Sequence, residues 1–100
     1  MATFEWDPLK ARINVRKHGV SFEEAASAVL DPLSEVALDR RHSYDESRYI
    51  AFGTSWRRRL LVVAYTQHGK VIRLISARIA TRRERKIYEE YQAKLRRFAA

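Results

Sequence analysis

Leu60-Leu61-Val62-Val63-Ala64-Tyr65-Thr66, then Gln67-His68-Gly69-Lys70, then Val71-Ile72-Arg73-Leu74-Ile75-Ser76-Ala77-Arg78-Ile79 is the stretch that decides the fold. Residues 60–66 are apolar on both alternating faces and rich in β-branched and aromatic side chains. That is the pattern of a central strand covered on both sides. The Gly-containing link is hairpin-sized, and residues 71–79 make the returning strand. Upstream, Arg48 to Ser55 has the same strand character, as does the shorter run Glu35 to Asp39. Downstream, Thr81-Arg82-Arg83-Glu84 is a capping box that opens a long last helix. Ile87, Tyr88, Tyr91, Leu95 and Phe98 form its apolar stripe, with Arg and Lys on the opposite side.

The first third of the chain reads differently. Phe4-Glu5-Trp6 alternates as a short strand, Asp7 can cap a helix, and Pro8 fits its first position. That helix runs through Leu9, Ile13 and Arg16 to a left-handed stop at Gly19. Ser21-Phe22-Glu23-Glu24 is a second capping box, followed by Phe22, Ala25, Ala26 and Val29 at helical spacing and closed by Asp31-Pro32. The order β-α-α-β-β-β-β-α predicts an α+β fold over residues 1–100. It is a small single domain with an antiparallel β-sheet, two N-terminal helices and a long C-terminal helix.

Charge is distributed unevenly along this order. Residues 1–56 carry seven Lys/Arg against nine Asp/Glu, a net of −2, whereas residues 57–100 carry thirteen against three, a net of +10. Ten of those thirteen cations are Arg, whose planar fork suits bidentate phosphate binding. The partner this favours is a polyanion, and nucleic acid is the commonest one. Apolar residues make up 46% of the chain, enough for one modest core. The absence of cysteine excludes disulfides, thiolate metal sites and a cysteine nucleophile, and it fits a reducing cytoplasm. The longest apolar stretch, Leu60 to Tyr65, is far too short to span a membrane, and no cationic leader opens the chain.

Phe4-Glu5-Trp6-Asp7-Pro8, Lys17-His18-Gly19-Val20-Ser21-Phe22-Glu23-Glu24-Ala25, residues 60–66, Ile72 to Arg78, Thr81-Arg82-Arg83-Glu84-Arg85 and Tyr88-Glu89-Glu90 occur in an order and at spacings that resemble the BrnT family. The resemblance spans nearly the whole chain. It implies a RelE-like ribonuclease fold and a toxin of a type II toxin–antitoxin module, an endoribonuclease acting on mRNA in the bacterial cytoplasm. It further implies neutralisation by a ribbon-helix-helix antitoxin, BrnA, with DNA met only indirectly when the complex represses its operon. Two positions depart from the family pattern: Arg58 stands where Gly is common before Arg59, and His68 stands where an Arg or other polar residue is common.

Cleavage through the 2′-hydroxyl needs a base for that hydroxyl, cations for the charge building on phosphorus, and an acid for the departing 5′-oxygen. Without a metal or cofactor, arginines supply the electrostatic part. Arg78 lies at a strand end just before a helix N-terminus; it is the first candidate, and pairing with Glu84 is its scaffold alternative. Arg73 and Arg78 are an odd number of residues apart, so a bulge or strand end is needed to bring both to one face. His18 beside Lys17 is a candidate acid or base, or a plain C-terminal cap. Glu84 is a candidate base that doubles as a capping-box acid, and Tyr65 is a candidate phosphate or base contact that doubles as core. Arg57, Arg58, Arg59, Arg73, Arg82 and Arg83 are candidate RNA-backbone contacts. Trp6 and Trp56 read as core, and neither metal spacing nor a Gly-rich phosphate loop is present. A non-catalytic nucleic-acid-binding module, or a protein-interaction domain, would need only the basic half.

Overall fold

The computed structural model describes residues 2–42 and 46–99, opening with a short strand, β1 (Thr3–Glu5). Asp7 caps α1 (Pro8–His18), its Oδ1 accepting the Leu9 N–H at 2.8 Å, and Gly19 at φ 69° ends the helix in the left-handed region. Ser21 then caps α2 (Phe22–Val29), accepting the Glu24 N–H at 3.0 Å. After β2 (Glu35–Leu38) and a 3-10 turn (Arg40–His42) come β3 (Arg48–Thr54), β4 (Leu60–His68) and β5 (Val71–Ile79). The last helix, α3, spans Arg82–Ala99. β4 and β5 run two residues closer together than the hairpin pattern implied, leaving Gly69 and Lys70 as the turn.

The strands form one sheet in the order β1-β5-β4-β3-β2, with β4 at its centre. The expectation of an antiparallel sheet needs correction. β2 to β5 form an antiparallel meander, but β1 lies parallel to β5, with Phe4 opposite Ile72. The cause is the connection: hairpin turns reverse direction, whereas β1 reaches β2, at the far edge, through two helices.

α1 and α2 cover one face of this sheet. Val20, Phe22, Ala25 and Ala28 pack there against Ala51, Leu61, Val63, Tyr65, Leu74 and Ala77, and Trp6 meets Phe22 edge to face at 5.9 Å. α2 sits close because Gly53 has no side chain: a Cβ there would lie 2.0 Å from the Ala28 carbonyl oxygen. The face that α1 turns inward centres on Ala11 and Asn14. Leu9 and Ile13 are more than half exposed, whereas Ala11 packs on the core and Asn14 is buried. The Asn14 amide donates to the Val20 and Ala77 carbonyls at 2.9 and 2.8 Å and accepts the Ala77 N–H at 3.1 Å. It thereby satisfies the outer edge of β5 beyond the point where β1 has ended.

α3 covers part of the other face, where Glu84, Ile87 and Tyr88 line a small cavity with Glu35 and Phe52. The Tyr88 hydroxyl and the Gln92 amide both donate to the Leu33 carbonyl, at 3.2 and 3.0 Å. Further along, Tyr91, Leu95 and Phe98 remain exposed, so the expected stripe exists but is only partly covered.

Candidate functional site

The register of β4 with β5 decides where the arginines point. Ser76 lies opposite Ala64, but Leu74 lies opposite Tyr65, so Ile75 is an extra residue and β5 bulges there. The bulge changes the parity of everything on one side of it. Arg73 pairs with Thr66 and Arg78 with Val62, two residues on the same face of β4, so both side chains stand on the face opposite α1 and α2. They are separated by about 15 Å of strand. Arg73 is exposed, its Nη1 3.3 Å from Glu5 Oε1 across the β1–β5 pair.

Arg78 is held more firmly. Its Nη1 and Nη2 donate to the two carboxylate oxygens of Glu84 at 2.7 and 2.9 Å, and its side chain stays 40% exposed. Glu84 also completes the α3 capping box, accepting the Thr81 N–H at 2.8 Å while its own N–H donates to Thr81 Oγ1 at 3.1 Å. Those hydrogen bonds, chiefly the pair from Arg78, hold the Glu84 carboxyl down to about 2. In this geometry both oxygens of the Glu84 carboxylate face the Arg78 guanidinium and fix its outer end. The Arg78–Glu84 bonds use the outer end of the guanidinium, and Nη1 also lies 3.5 Å from the Ile79 carbonyl oxygen.

Lys17 and His18 end α1 and reach the bulge. With Lys10, Ile13 and Asn14 they line a cavity of about 170 Å³ against Ile75 and Ser76. Ser76 shares its face of β5 with Arg78, two residues and about 7 Å further along the strand.

The β3–β4 turn is clamped to α2. Ser55 Oγ donates to Glu24 Oε2 at 2.7 Å, Arg59 Nε donates to the same oxygen at 2.9 Å, and Arg59 Nη2 bonds both Glu24 Oε1 and, at 3.1 Å, the Gly19 carbonyl. Glu24 is 1% exposed, and the Arg59 hydrogen bond leads the interactions that lower its carboxyl pKa against the opposing effect of burial. The α2 capping box is therefore only half made: Ser21 caps, but the Glu24 carboxylate turns to these charged donors instead of the Ser21 amide. Arg58 sits at φ 60°, in the left-handed region that favours glycine. Trp56, expected in the core, is 63% exposed.

Several candidates thus gather at one end of the sheet. Arg59 touches Gly19, next to His18, and the Ala80 N–H bonds the Leu60 carbonyl, which puts the β5–α3 junction beside the 55–59 turn. Arg82 and Arg83 occupy the exposed first turn of α3 there. Arg73 lies toward the other end. Tyr65 is not among them: it is 4% exposed in the core under the helices, stacked on Tyr49 at 5.6 Å, and burial pushes its hydroxyl up. Asn14, Glu24 and Ser55 were missed as organisers of this end; a polar residue within a helix's apolar pattern was the signal for Asn14. Among the described residues, no three His, Cys, Asp or Glu side chains are grouped so as to hold a metal ion, and no helix is long and apolar enough to cross a membrane.

Residues 6–84 match the family described as the ribonuclease toxin, BrnT, of type II toxin–antitoxin systems. The fold is similar to that in the 1.1 Å crystal structure of the Brucella abortus ribonuclease toxin, BrnT. The TM-score is 0.63 at 21% identity, covering 82% of this chain and all of that one. No curated protein sequence matches significantly. On the extent of the match over residues 6–84, this chain belongs to the BrnT family of ribonuclease toxins of type II toxin–antitoxin systems.

Proposed function

We propose that the chain is a metal-independent endoribonuclease that cleaves mRNA in the bacterial cytoplasm and thereby arrests translation and growth. Residues 1–100 act in this proposal as one toxin domain of RelE-like build. The observation that supports it is the bulge at Ile75, which turns Arg78 and Arg73 to one face, while Lys17 and His18 line a cavity against Ile75 and Ser76 of the same strand. The 2′-hydroxyl attacks the adjacent phosphorus, an O2′–P bond forms, and the P–O5′ bond breaks to leave a 2′,3′-cyclic phosphate and a 5′-hydroxyl. Arg78, its guanidinium held by Glu84 and its side chain 40% exposed, donates to the charged phosphorane. His18 takes the proton released by the 2′-hydroxyl and returns it to the departing 5′-oxygen, and Lys17 adds positive charge beside it. Arg57, Arg58, Arg73, Arg82 and Arg83 hold the RNA backbone, while Arg59 is committed to Glu24 and shapes the turn.

Neutralisation falls to a BrnA-like ribbon-helix-helix antitoxin, and the complex represses its own operon. What supports a protein partner is the exposed run Tyr91, Leu95 and Phe98 on α3, apolar surface of a kind that proteins cover with other proteins. The test is cleavage of a purified mRNA in EDTA with analysis of the new ends. Cyclic phosphate and 5′-hydroxyl termini are expected, and Arg78→Ala should lower the rate by about 10²–10³. Activity lost in EDTA and restored by a divalent ion would overturn the metal-free mechanism.

A further inference from the structure

Trp56 is the feature of the basic turn that the catalytic scheme leaves unused. A Trp that is 63% exposed forgoes a large apolar burial, yet this one is not on a loose segment. Its backbone N–H donates to Ser27 Oγ at 3.1 Å on α2. Ser55 N–H bonds the Arg59 carbonyl and Arg58 N–H bonds the Ser55 carbonyl, each at 2.9 Å. Ser55 Oγ also accepts the Arg57 N–H at 3.2 Å while donating to the buried Glu24. The backbone that presents the indole is thus tied on both sides to α2, and only the two side-chain torsions of Trp56 remain to be ordered on binding. The flanking residues are cations. The Arg57 side chain is 60% exposed, and Arg58 follows it in the exposed part of the turn.

From this placement we infer that Trp56 is a stacking platform for an unpaired base of single-stranded RNA, with Arg57 and Arg58 taking the phosphates beside that base. The chemistry fits one ligand class closely. A nucleotide offers a π-face and a phosphate within a few ångströms of each other, which is what an indole flanked by guanidinium groups can meet at once. A protein partner could cover the indole, but the cations beside it would then require acidic side chains at matching positions. The inference rests on the RNA-cleaving function proposed above and assigns a residue to how its substrate is held. Stacking is sequence-tolerant, so Trp56 adds affinity and sets where a base sits relative to the cleavage site without reading its edge.

The experiment measures binding by fluorescence anisotropy with a 2′-O-methyl RNA 12-mer, which cannot be cut, and with the same backbone carrying abasic positions. Wild type should bind the intact 12-mer with a steep salt dependence. Trp56→Ala should bind it about tenfold or more weaker, with an unchanged salt slope and an unchanged melting temperature, since the side chain is exposed. Trp56→Phe should recover most of the loss, and the abasic strand should bind wild type and Trp56→Ala alike. If wild type binds the intact strand and Trp56→Ala binds it equally well, the platform is wrong while RNA binding stands. An equal loss on the abasic strand also overturns stacking. If wild type binds neither strand, the RNA reading fails first and the platform falls with it.

Discussion

Replacing Glu84 by Gln separates the two tasks of this side chain. The amide keeps the length of the carboxylate and can still accept the Thr81 N–H, so the α3 cap survives, but the charge facing Arg78 is gone. The wild-type carboxyl is lowered from 4.5 to about 2, which at 1.36 kcal/mol per unit sets an upper bound of about 3 kcal/mol. Arg78 is 40% exposed, so solvent screening reduces the expected loss to roughly 1–2 kcal/mol at pH 7. For a domain of this size that lowers Tm by about 4–16 °C. The pH dependence has a definite sign. A carboxyl whose folded-state pKa is depressed contributes fully above 4.5, and its contribution fades as pH falls toward 2, so urea melts of wild type and Glu84→Gln should converge across that window. Meanwhile the freed Arg78 should bind RNA several-fold more tightly and keep cleavage within about tenfold of wild type. A variant as stable as wild type at pH 7 would refute the ion-pair estimate. A folded variant whose cleavage falls further than that of Arg78→Ala, beyond about 10³-fold, would give Glu84 a task of its own in proton transfer and refute a purely positioning role.

Gly53→Ala should cost about 3 kcal/mol, read as a lowered urea midpoint, because the new methyl would lie 2.0 Å from backbone oxygen on α2 and only a shift of the helix relieves it. Arg58→Gly should raise stability by about 0.5–1 kcal/mol. Relief of the left-handed strain at φ 60° is worth about 1–2 kcal/mol, and the added freedom of Gly in the unfolded chain takes back about half. Glu24→Gln should destabilise by about 3 kcal/mol in chemical denaturation, since it strands the half-buried Arg59 guanidinium against an uncharged partner. It should also loosen the 55–59 turn, seen as faster amide exchange at Arg58 and Arg59.

Most of the fold is written in short-range signals that the structure obeys. Asp7-Pro8, Gly19, Ser21 and Thr81 start and stop helices where local chemistry requires, and the apolar run from Leu60 makes a central strand. Three features depend on contacts that no local pattern carries. The parallel placement of β1 is a property of the crossover, not of residues 3–5. The inward face of α1 carries Asn14, whose amide satisfies both the N–H and the carbonyl of Ala77 from 63 residues away, while Leu9 and Ile13 stay more than half exposed. The bulge at Ile75 lies inside an otherwise regular strand pattern. The odd separation of Arg73 and Arg78 states only that some irregularity is needed if both are to act on one face. Trp56 marks the converse failure, an apolar side chain whose composition says core and whose turn says surface.

The two Ser/Thr-x-x-Glu motifs show how one sequence signature acquires two outcomes. In each, the helix N-terminus favours a carboxylate three residues past the cap, and in each that carboxylate meets an arginine from a neighbouring strand or turn. Burial separates them. Glu24 is nearly inaccessible, so both of its oxygens must be satisfied by strong donors, and Ser55 and Arg59 take them at the expense of the box. Glu84 lies nearer solvent and divides its oxygens, Oε1 serving both Thr81 and Arg78 and Oε2 serving Arg78 alone. The arginines differ accordingly. Arg59 commits Nε and Nη2 to Glu24 and the Gly19 carbonyl, which makes it a clamp for the turn. Arg78 meets Glu84 through Nη1 and Nη2, and its side chain stays partly exposed. Of the two, Arg78 is therefore the arginine whose side chain stays more open to solvent, 40% exposed against 24% for Arg59.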